Sequence, residues 1–291
     1  MTARFRTFVA ALAAGFLAMT ISTAQVSADD KITRTMVTRG DAQIEVLSQG
    51  AGPLIVLLPS LGRGAEDFDA IAIDLAKAGF RVLRPQPRGI GASHGPLTGI
   101  DLHDYAKDVA AAIEAANAGP AFVVGHAFGN RVARLLATTR PELVRAVCLI
   151  AANVGRDPSP PNVREAIKAS ANPALPEAER LAALKVAFFA PGNDPRSWLA
   201  GWHPDVLSAE RIAGDKTPRE EDYAAGHAPV LYLQPDHDPL GRIEDAQEYK
   251  RALGDRVTVV VISNASHAVI TEQTDAVAGE LVKYAKALPG S

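Results

Sequence analysis

Short apolar runs alternate along the chain with segments whose apolar residues recur every three to four positions. The compact runs are 54–58, 122–124, 144–150, 230–233 and 257–262. Runs that are apolar throughout are typical of parallel strands buried by helices on both faces. Helical spacing marks 102–113, 132–136 and 277–288. The alternation predicts an α/β fold, with a mostly parallel sheet of about eight strands, helices on both faces and right-handed crossovers.

Two stretches depart from this alternation. Near the start, 31–37 and 42–47 predict an antiparallel hairpin around Arg39-Gly40-Asp41. Residues 155–223 contain many prolines, helical fragments such as 177–189 and both tryptophans, and are too long for a simple connection. We interpret 155–223 as a helical cap inserted into a core formed by 29–154 and 224–291. A mobile loop is the alternative, but the apolar content of the stretch favours packing.

Residues 1–28 are typical of a secretory signal. Arg4 and Arg6 precede an uncharged, mostly apolar run over 7–21, and Val26-Ser27-Ala28 offers a small-x-small cleavage site. The run is shorter than the ~20 residues that a membrane-spanning helix needs. We expect cleavage after Ala28, with Ala24 as the other candidate. The mature protein is then expected to be periplasmic or secreted and free of the membrane.

Composition narrows the expected partners. The formal net charge is −3 and the basic residues are scattered, which argues against nucleic acid or an anionic membrane surface. The single cysteine, Cys148, lies inside an apolar run and is expected to be a buried, inert thiol. His203, His227 and His237 show no metal-binding spacing. We therefore expect a small-molecule substrate and neither metal nor cofactor; the sequence leaves the oligomeric state open.

The segment Gly125-His126-Ala127-Phe128-Gly129 follows a predicted buried strand and opens a predicted helix. It resembles the nucleophile elbow of the α/β-hydrolase superfamily, Gly-x-Ser-x-Gly, in the same strand–turn–helix context. Ala127 stands where that family has its serine. The resemblance covers essentially the whole mature chain and is nearest the branch with esterases, haloperoxidases and epoxide hydrolases.

Two further loops carry the resemblance. Leu57-Leu58-Pro59-Ser60-Leu61-Gly62 is similar to the loop that supplies one oxyanion-hole amide, although the family often has His-Gly at the Pro59-Ser60 positions. The resemblance implies that the amides of Leu61 and Phe128 form the oxyanion hole. The turn 88–93, Arg-Gly-Ile-Gly-Ala-Ser, is also similar to a family turn and is expected to be structural.

The acid and the base follow in the order that the family uses. Register with the family's strand end places the carboxylate at Asp238, with Asp236 as the competitor, and the base at His267. Each has a plainer interpretation, since Asp238 could cap a helix and His267 could be a loop histidine. His126 is expected to lie beneath the turn, and Ser60 is a remote candidate for a replacement nucleophile.

The tryptophans of the predicted cap, Trp198 and Trp202, are candidate substrate-binding residues that could equally belong to its core. At the elbow, the methyl group of Ala127 cannot attack a carbonyl carbon. Three interpretations remain: an engineered replacement of a native serine, a natural enzyme whose His267 acts on water or substrate, and a ligand-binding protein without turnover. We favour a hydrolase that acts on a small, largely apolar carbonyl compound.

Overall fold

The computed structural model describes residues 31–154 and 159–289. Eight strands form one sheet in the order β1-β2-β4-β3-β5-β6-β7-β8. The strands are β1 (Thr33–Arg39), β2 (Ala42–Gln49), β3 (Leu54–Leu58), β4 (Arg81–Pro85), β5 (Ala121–His126), β6 (Val144–Ile150), β7 (Val230–Pro235) and β8 (Val257–Ile262). The predicted α/β fold class, with a mostly parallel sheet, is confirmed.

The antiparallel part of the sheet is confined to its first edge. β1 pairs with β2 from Thr33 opposite Ser48 to Arg39 opposite Ala42, and Gly40 turns the chain with a φ of 56°. β2 is also antiparallel to β4, whereas the pairings from β4 through β3, β5, β6 and β7 to β8 are all parallel. The carboxyl ends of the parallel strands therefore meet at one edge, where the loops can share a site.

Helices cover both faces of the sheet. They are α1 (Asp69–Lys77), α2 (Leu102–Ala116), α3 (Phe128–Thr139), α4 (Pro161–Ala171), α5 (Glu177–Ala187), α6 (Pro204–Lys216), α7 (Arg219–Tyr223), α8 (Ile243–Leu253), α9 (Val269–Glu272) and α10 (Thr274–Ala287). One apolar cluster joins the sheet to α2, α3 and α8, and a second joins its other face to α1 and α10. Burial on both faces explains why strands such as β3 and β5 carry no polar alternation.

Helices α4 to α7 lie between β6 and β7, within the stretch predicted to be a cap, and we refer to the described part of this stretch, residues 159–223, as the cap. Val163, Leu184, Phe188 and Trp198 are buried in an apolar cluster that this region forms with Ala268. Residues 155–158 and the predicted signal, 1–28, lie outside the described residues. Within the described ranges, no helix combines the length and the apolar character required to cross a membrane.

Candidate functional site

The elbow at the end of β5 is held by two glycines. A Cβ on Gly125 would lie 2.3 Å from the carbonyl carbon of Gly129, and a Cβ on Gly129 would lie 2.4 Å from the carbonyl oxygen of Leu58. Between them, Ala127 has φ 48° and ψ −109°, a conformation that non-glycine residues rarely adopt. Its amide donates to the Ile150 carbonyl over 3.0 Å, which ties the turn to β6. Alanine thus occupies the strained turn of an elbow.

The structure brings His267 and Asp238 together beside this elbow. Nδ1 of His267 donates to Oδ2 of Asp238 over 2.9 Å, and Oδ1 of Asp238 accepts from the Leu240 amide over 2.8 Å. Both residues are buried, at 5% and 7% exposure. Because Nδ1 is held by the carboxylate, Nε2 is the nitrogen left for chemistry.

Asp236, the competing carboxylate, has a different set of partners. Its oxygens accept from the Asn264 and Ala265 amides, and Nδ1 of His237 donates to it over 2.6 Å. Partial burial opposes ionisation, but these hydrogen bonds hold the pKa of Asp236 below its ordinary value. Asp236 therefore braces the loop that leads to His267, while Asp238 contacts the imidazole.

His126 lies beneath the turn, fully buried. Its Nε2 donates to the carbonyl oxygen of His267 over 2.7 Å. Burial, reinforced by the nearby charges of His267 and Arg63, lowers the pKa of His126 to about 3. His126 is therefore neutral at physiological pH and links the elbow to the loop that carries His267.

A cavity of about 230 Å³ opens above the elbow. Part of its wall is formed by the predicted site residues Leu61, Ala127, Phe128, His267 and Trp202. Side chains of the cap, among them Trp202 and Glu210, form another part. Ser60 also faces this cavity, and in the described part of the chain no hydrogen bond joins it to His267. Trp198 is buried at 1% exposure in the apolar cluster, so the structure places it in the core and not in the cavity wall.

The loop after β3, residues 59–64, is fastened to the cap. The Gly62 amide donates to the Glu210 carboxyl group over 2.6 Å, and the Gly62 carbonyl accepts from the His203 amide over 2.9 Å. Arg63 donates to the Ala200 carbonyl over 2.8 Å. Its guanidinium group also lies over the rings of both tryptophans, at 4.6 and 4.9 Å from their centroids. We call residues 59–64 the β3 loop.

On the other side, the β3 loop contacts the elbow. The amide of Gly129 donates to the Pro59 carbonyl over 3.1 Å, which places the start of α3 against the loop. Leu61 and Phe128, the predicted oxyanion residues, both line the cavity. Across the described ranges, no group of three or more His, Cys, Asp or Glu side chains is arranged to hold a metal ion.

Comparison with models of protein families identifies the family to which the chain belongs. Residues 53–274 match the model of the alpha/beta hydrolase fold family, from the start of β3 to the first residue of α10. The chain belongs to the α/β-hydrolase fold family. This finding agrees with the order of elbow, carboxylate and histidine along the chain and with their meeting at one edge of the sheet.

Individual α/β-hydrolase relatives share parts of the chain. It is 33% identical over 127 residues to 2-(acetamidomethylene)succinate hydrolase of Mesorhizobium japonicum, covering 44% of this chain and 45% of that protein. It is 38% identical over 89 residues to a non-heme chloroperoxidase of Streptomyces lividans, covering 30% and 32%. These matches span less than half of the relatives' length.

Among solved structures, the chain is similar to a bacterial membrane phospholipase A described as a virulence factor. The TM-score is 0.73 at 20% identity, covering 90% of this chain and 88% of that one. A likeness at this level of identity establishes the shared α/β-hydrolase fold alone.

Two cavity residues were not identified from the sequence. Glu210 is buried at 1% exposure on the face of α6 that also carries Val206 and Ala213. A carboxylate at helical spacing among apolar residues was the available signal. Arg211 also lines the cavity, and its guanidinium group forms no hydrogen bond or ion pair with a described residue. Arg211 is not among the buried residues of α6, and an arginine outside the buried face of a helix gave no comparable signal.

Proposed function

We propose that this protein is an exported hydrolase of small ester- or amide-like carbonyl compounds, in which His267 activates water in place of a serine nucleophile. The observation that carries the proposal is the His267–Asp238 pair beside the methyl group of Ala127 in one cavity. Family membership and the hydrolases among its relatives support the reaction class. Export is proposed from the sequence of residues 1–28.

The proposed reaction begins with water in the space that a serine hydroxyl would fill. Nε2 of His267 takes a proton from the water as its oxygen bonds to the carbonyl carbon, and the carbonyl electron pair moves to oxygen. The amides of Leu61 and Phe128 then stabilise the anion. When the intermediate collapses, the bond to the leaving group breaks and His267 returns the proton to the leaving atom. Asp238 orients the ring and stabilises its charged form.

The volume and the lining of the cavity limit the size and the polarity of the proposed substrate. The cavity volume of about 230 Å³ is below the ~300–1,000 Å³ typical of drug-sized ligands, so a compact substrate is expected. Phe128, Phe188 and Leu240 give it apolar walls, which suits a largely apolar acyl group. Arg211 supplies a cation on one wall that can pair with a carboxylate. An acyl compound carrying one acidic group combines both requirements.

The alternative function is ligand binding without turnover. A hydrogen-bonded His267–Asp238 pair is also stable without catalysis, and a serine replaced by Ala127 would leave the same geometry. Only turnover that depends on the imidazole separates these cases from the proposal.

The test measures hydrolysis of a panel of small ester, lactone and amide substrates by the protein and three variants. His267→Ala removes the base, whereas His94→Ala removes an exposed histidine that does not line the cavity. We expect His267→Ala to abolish turnover and His94→Ala to retain it. Ser60→Ala should also retain turnover, since water is the nucleophile. Equal rates in the native protein and His267→Ala would refute the proposal.

Restoring the serine tests the rest of the site. In a serine triad, removal of the nucleophile costs up to about 10⁶-fold in kcat. Ala127→Ser should therefore raise ester hydrolysis by several orders of magnitude, and the gain should vanish when His267→Ala is added. A protein that binds ligand for hours without product, yet becomes an esterase with Ala127→Ser, is a binding homologue of an esterase.

A further inference from the structure

The carboxyl group of Glu210 is placed against the predicted oxyanion loop. One of its oxygens accepts from the Gly62 amide over 2.6 Å, and Gly62 directly follows Leu61. The contact joins cap helix α6 to the β3 loop across 148 positions of sequence. The Glu210 carboxyl group, buried at 1% exposure, therefore belongs both to α6 and to the wall of the cavity that contains Ala127 and His267.

Glu210 lines two cavities. One is the cavity that contains Ala127 and His267, and the other is a smaller cavity of about 40 Å³. Tyr105 also lines the smaller cavity, and its hydroxyl group has no hydrogen-bond partner in the described part of the chain. A space of that volume has room for a water molecule between polar groups. Glu210 thus contacts both the cavity of the proposed site and a small, largely apolar cavity.

Charged neighbours do not form an ion pair with Glu210 among the described residues. The titratable groups in the walls of the two cavities, besides His267, are Arg88, Tyr105, Asp108, Arg131, Arg211, Asp215 and Arg219. Arg88 is paired with Asp108 over 2.6 Å, and Arg131 is paired with Asp222. Burial raises the pKa of Glu210 to about 8, against the opposing effect of the Gly62 amide. The raised pKa favours the protonated form of Glu210 at neutral pH, which can donate a hydrogen bond.

We propose that Glu210 is the catalytic acid of this site, whose carboxyl O–H donates a hydrogen bond to the substrate carbonyl oxygen beside the Leu61 amide. This inference rests on the proposed hydrolysis and adds Glu210, beside His267, as a second titratable group that takes part in the reaction. His267, paired with Asp238, accepts the proton of water, while Glu210, which is desolvated and has no ion-pair partner among the described residues, keeps its own proton. As the C–O bond forms, the Glu210 proton is shared with the new oxyanion. It returns to Glu210 when the carbonyl re-forms and the leaving group departs.

The experiment compares two substitutions of Glu210 with one control on the same helix. Glu210→Gln keeps the shape and an N–H donor but cannot ionise, and Glu210→Leu removes the donor. Asp205→Asn changes an exposed carboxylate of α6 that does not line the cavity. We expect native kcat to fall above about pH 8 as the acid ionises, and this fall to be absent in Glu210→Gln. Glu210→Leu should lose about 10²–10³-fold in kcat, as for one oxyanion donor. Asp205→Asn should match the native protein.

Infrared difference spectroscopy supplies a measurement that does not depend on turnover. A protonated carboxyl band present at pH 7 in the native protein should be absent from Glu210→Gln. An ionised Glu210 at pH 7, or a pH profile and kcat that neither Glu210 substitution alters, overturns the inference. If the native protein is inert, the proposed function fails and the same comparison is made in the Ala127→Ser background. Failure of catalysis there as well overturns the role of Glu210 too.

Discussion

Glu210 should make the stability of the folded protein depend on pH in a direction opposite to that of most carboxylates. Its pKa is raised from the ordinary 4.5 to about 8 because the buried group loses hydration. In the unfolded chain the group ionises near its ordinary value, whereas the folded protein keeps the proton up to about pH 8. Between these values the folded state binds more protons, so the free energy of unfolding falls as pH rises.

The structure also gives the size of this effect. Each pH unit between the two pKa values corresponds to about 1.4 kcal/mol, so the interval from 4.5 to about 8 amounts to about 5 kcal/mol. The contribution is fully present below pH 4.5 and lost once pH passes about 8. Glu210→Gln removes the titration and preserves an acceptor for the Gly62 amide. Its unfolding free energy should therefore decline less between these pH values than that of the native protein.

Urea unfolding at steps from pH 5 to pH 8 measures the difference. The gap between native and Glu210→Gln stabilities should change by several kcal/mol across this range, while Asp205→Asn should follow the native curve. Taking the difference in unfolding free energy between the two proteins at each pH cancels the contribution of every titratable group that they share. Parallel curves for the native protein and Glu210→Gln would mean that the carboxyl group is not protonated in the folded state, and the physical reasoning about its burial would be wrong.

Two further predictions concern the acid and the elbow. In the Ala127→Ser background, Asp238→Asn should lower kcat by about 10⁴-fold because the imidazole loses its correct tautomer. Asp236→Asn should mainly lower stability. Equal effects of the two substitutions on kcat would contradict the assignment of Asp238 as the carboxylate that orients His267. Gly129→Ala should reduce the free energy of unfolding by about 3 kcal/mol or more because its Cβ would meet the Leu58 carbonyl oxygen at 2.4 Å, and an unchanged urea midpoint would show that the elbow relaxes freely.

Much of the fold could be predicted because its signals are local. The continuous apolar runs at β3 and β5 give buried parallel strands, and glycine spacing around Ala127 gives the turn between β5 and α3. The order of elbow, Asp238 and His267 is readable because each follows the end of a strand, and parallel strands end at one edge of the sheet.

The remaining features depend on contacts between distant segments. Register with the family favoured Asp238 but left Asp236 as a competitor, since both follow β7. Their partners on the β8 side distinguish them in the structure. Nor could the sequence decide which tryptophan contacts the cavity, because Trp198 and Trp202 lie only four positions apart. In the structure Trp198 is buried in the apolar cluster of the cap, and Trp202 lines the cavity. The contact between Glu210 on α6 and Gly62 in the β3 loop joins residues 148 positions apart, so no local pattern could have predicted it.

The attachment of the β3 loop to the cap has a consequence for ligand exchange. Because Gly62 and Arg63 are bonded to cap residues, an outward movement of the cap pulls on the segment that carries Leu61. The β3 loop is also bonded to the start of α3 through the Gly129 amide and the Pro59 carbonyl. We therefore expect the spacing of the two proposed oxyanion amides, those of Leu61 and Phe128, to depend on the cap contacts of Gly62 and Arg63.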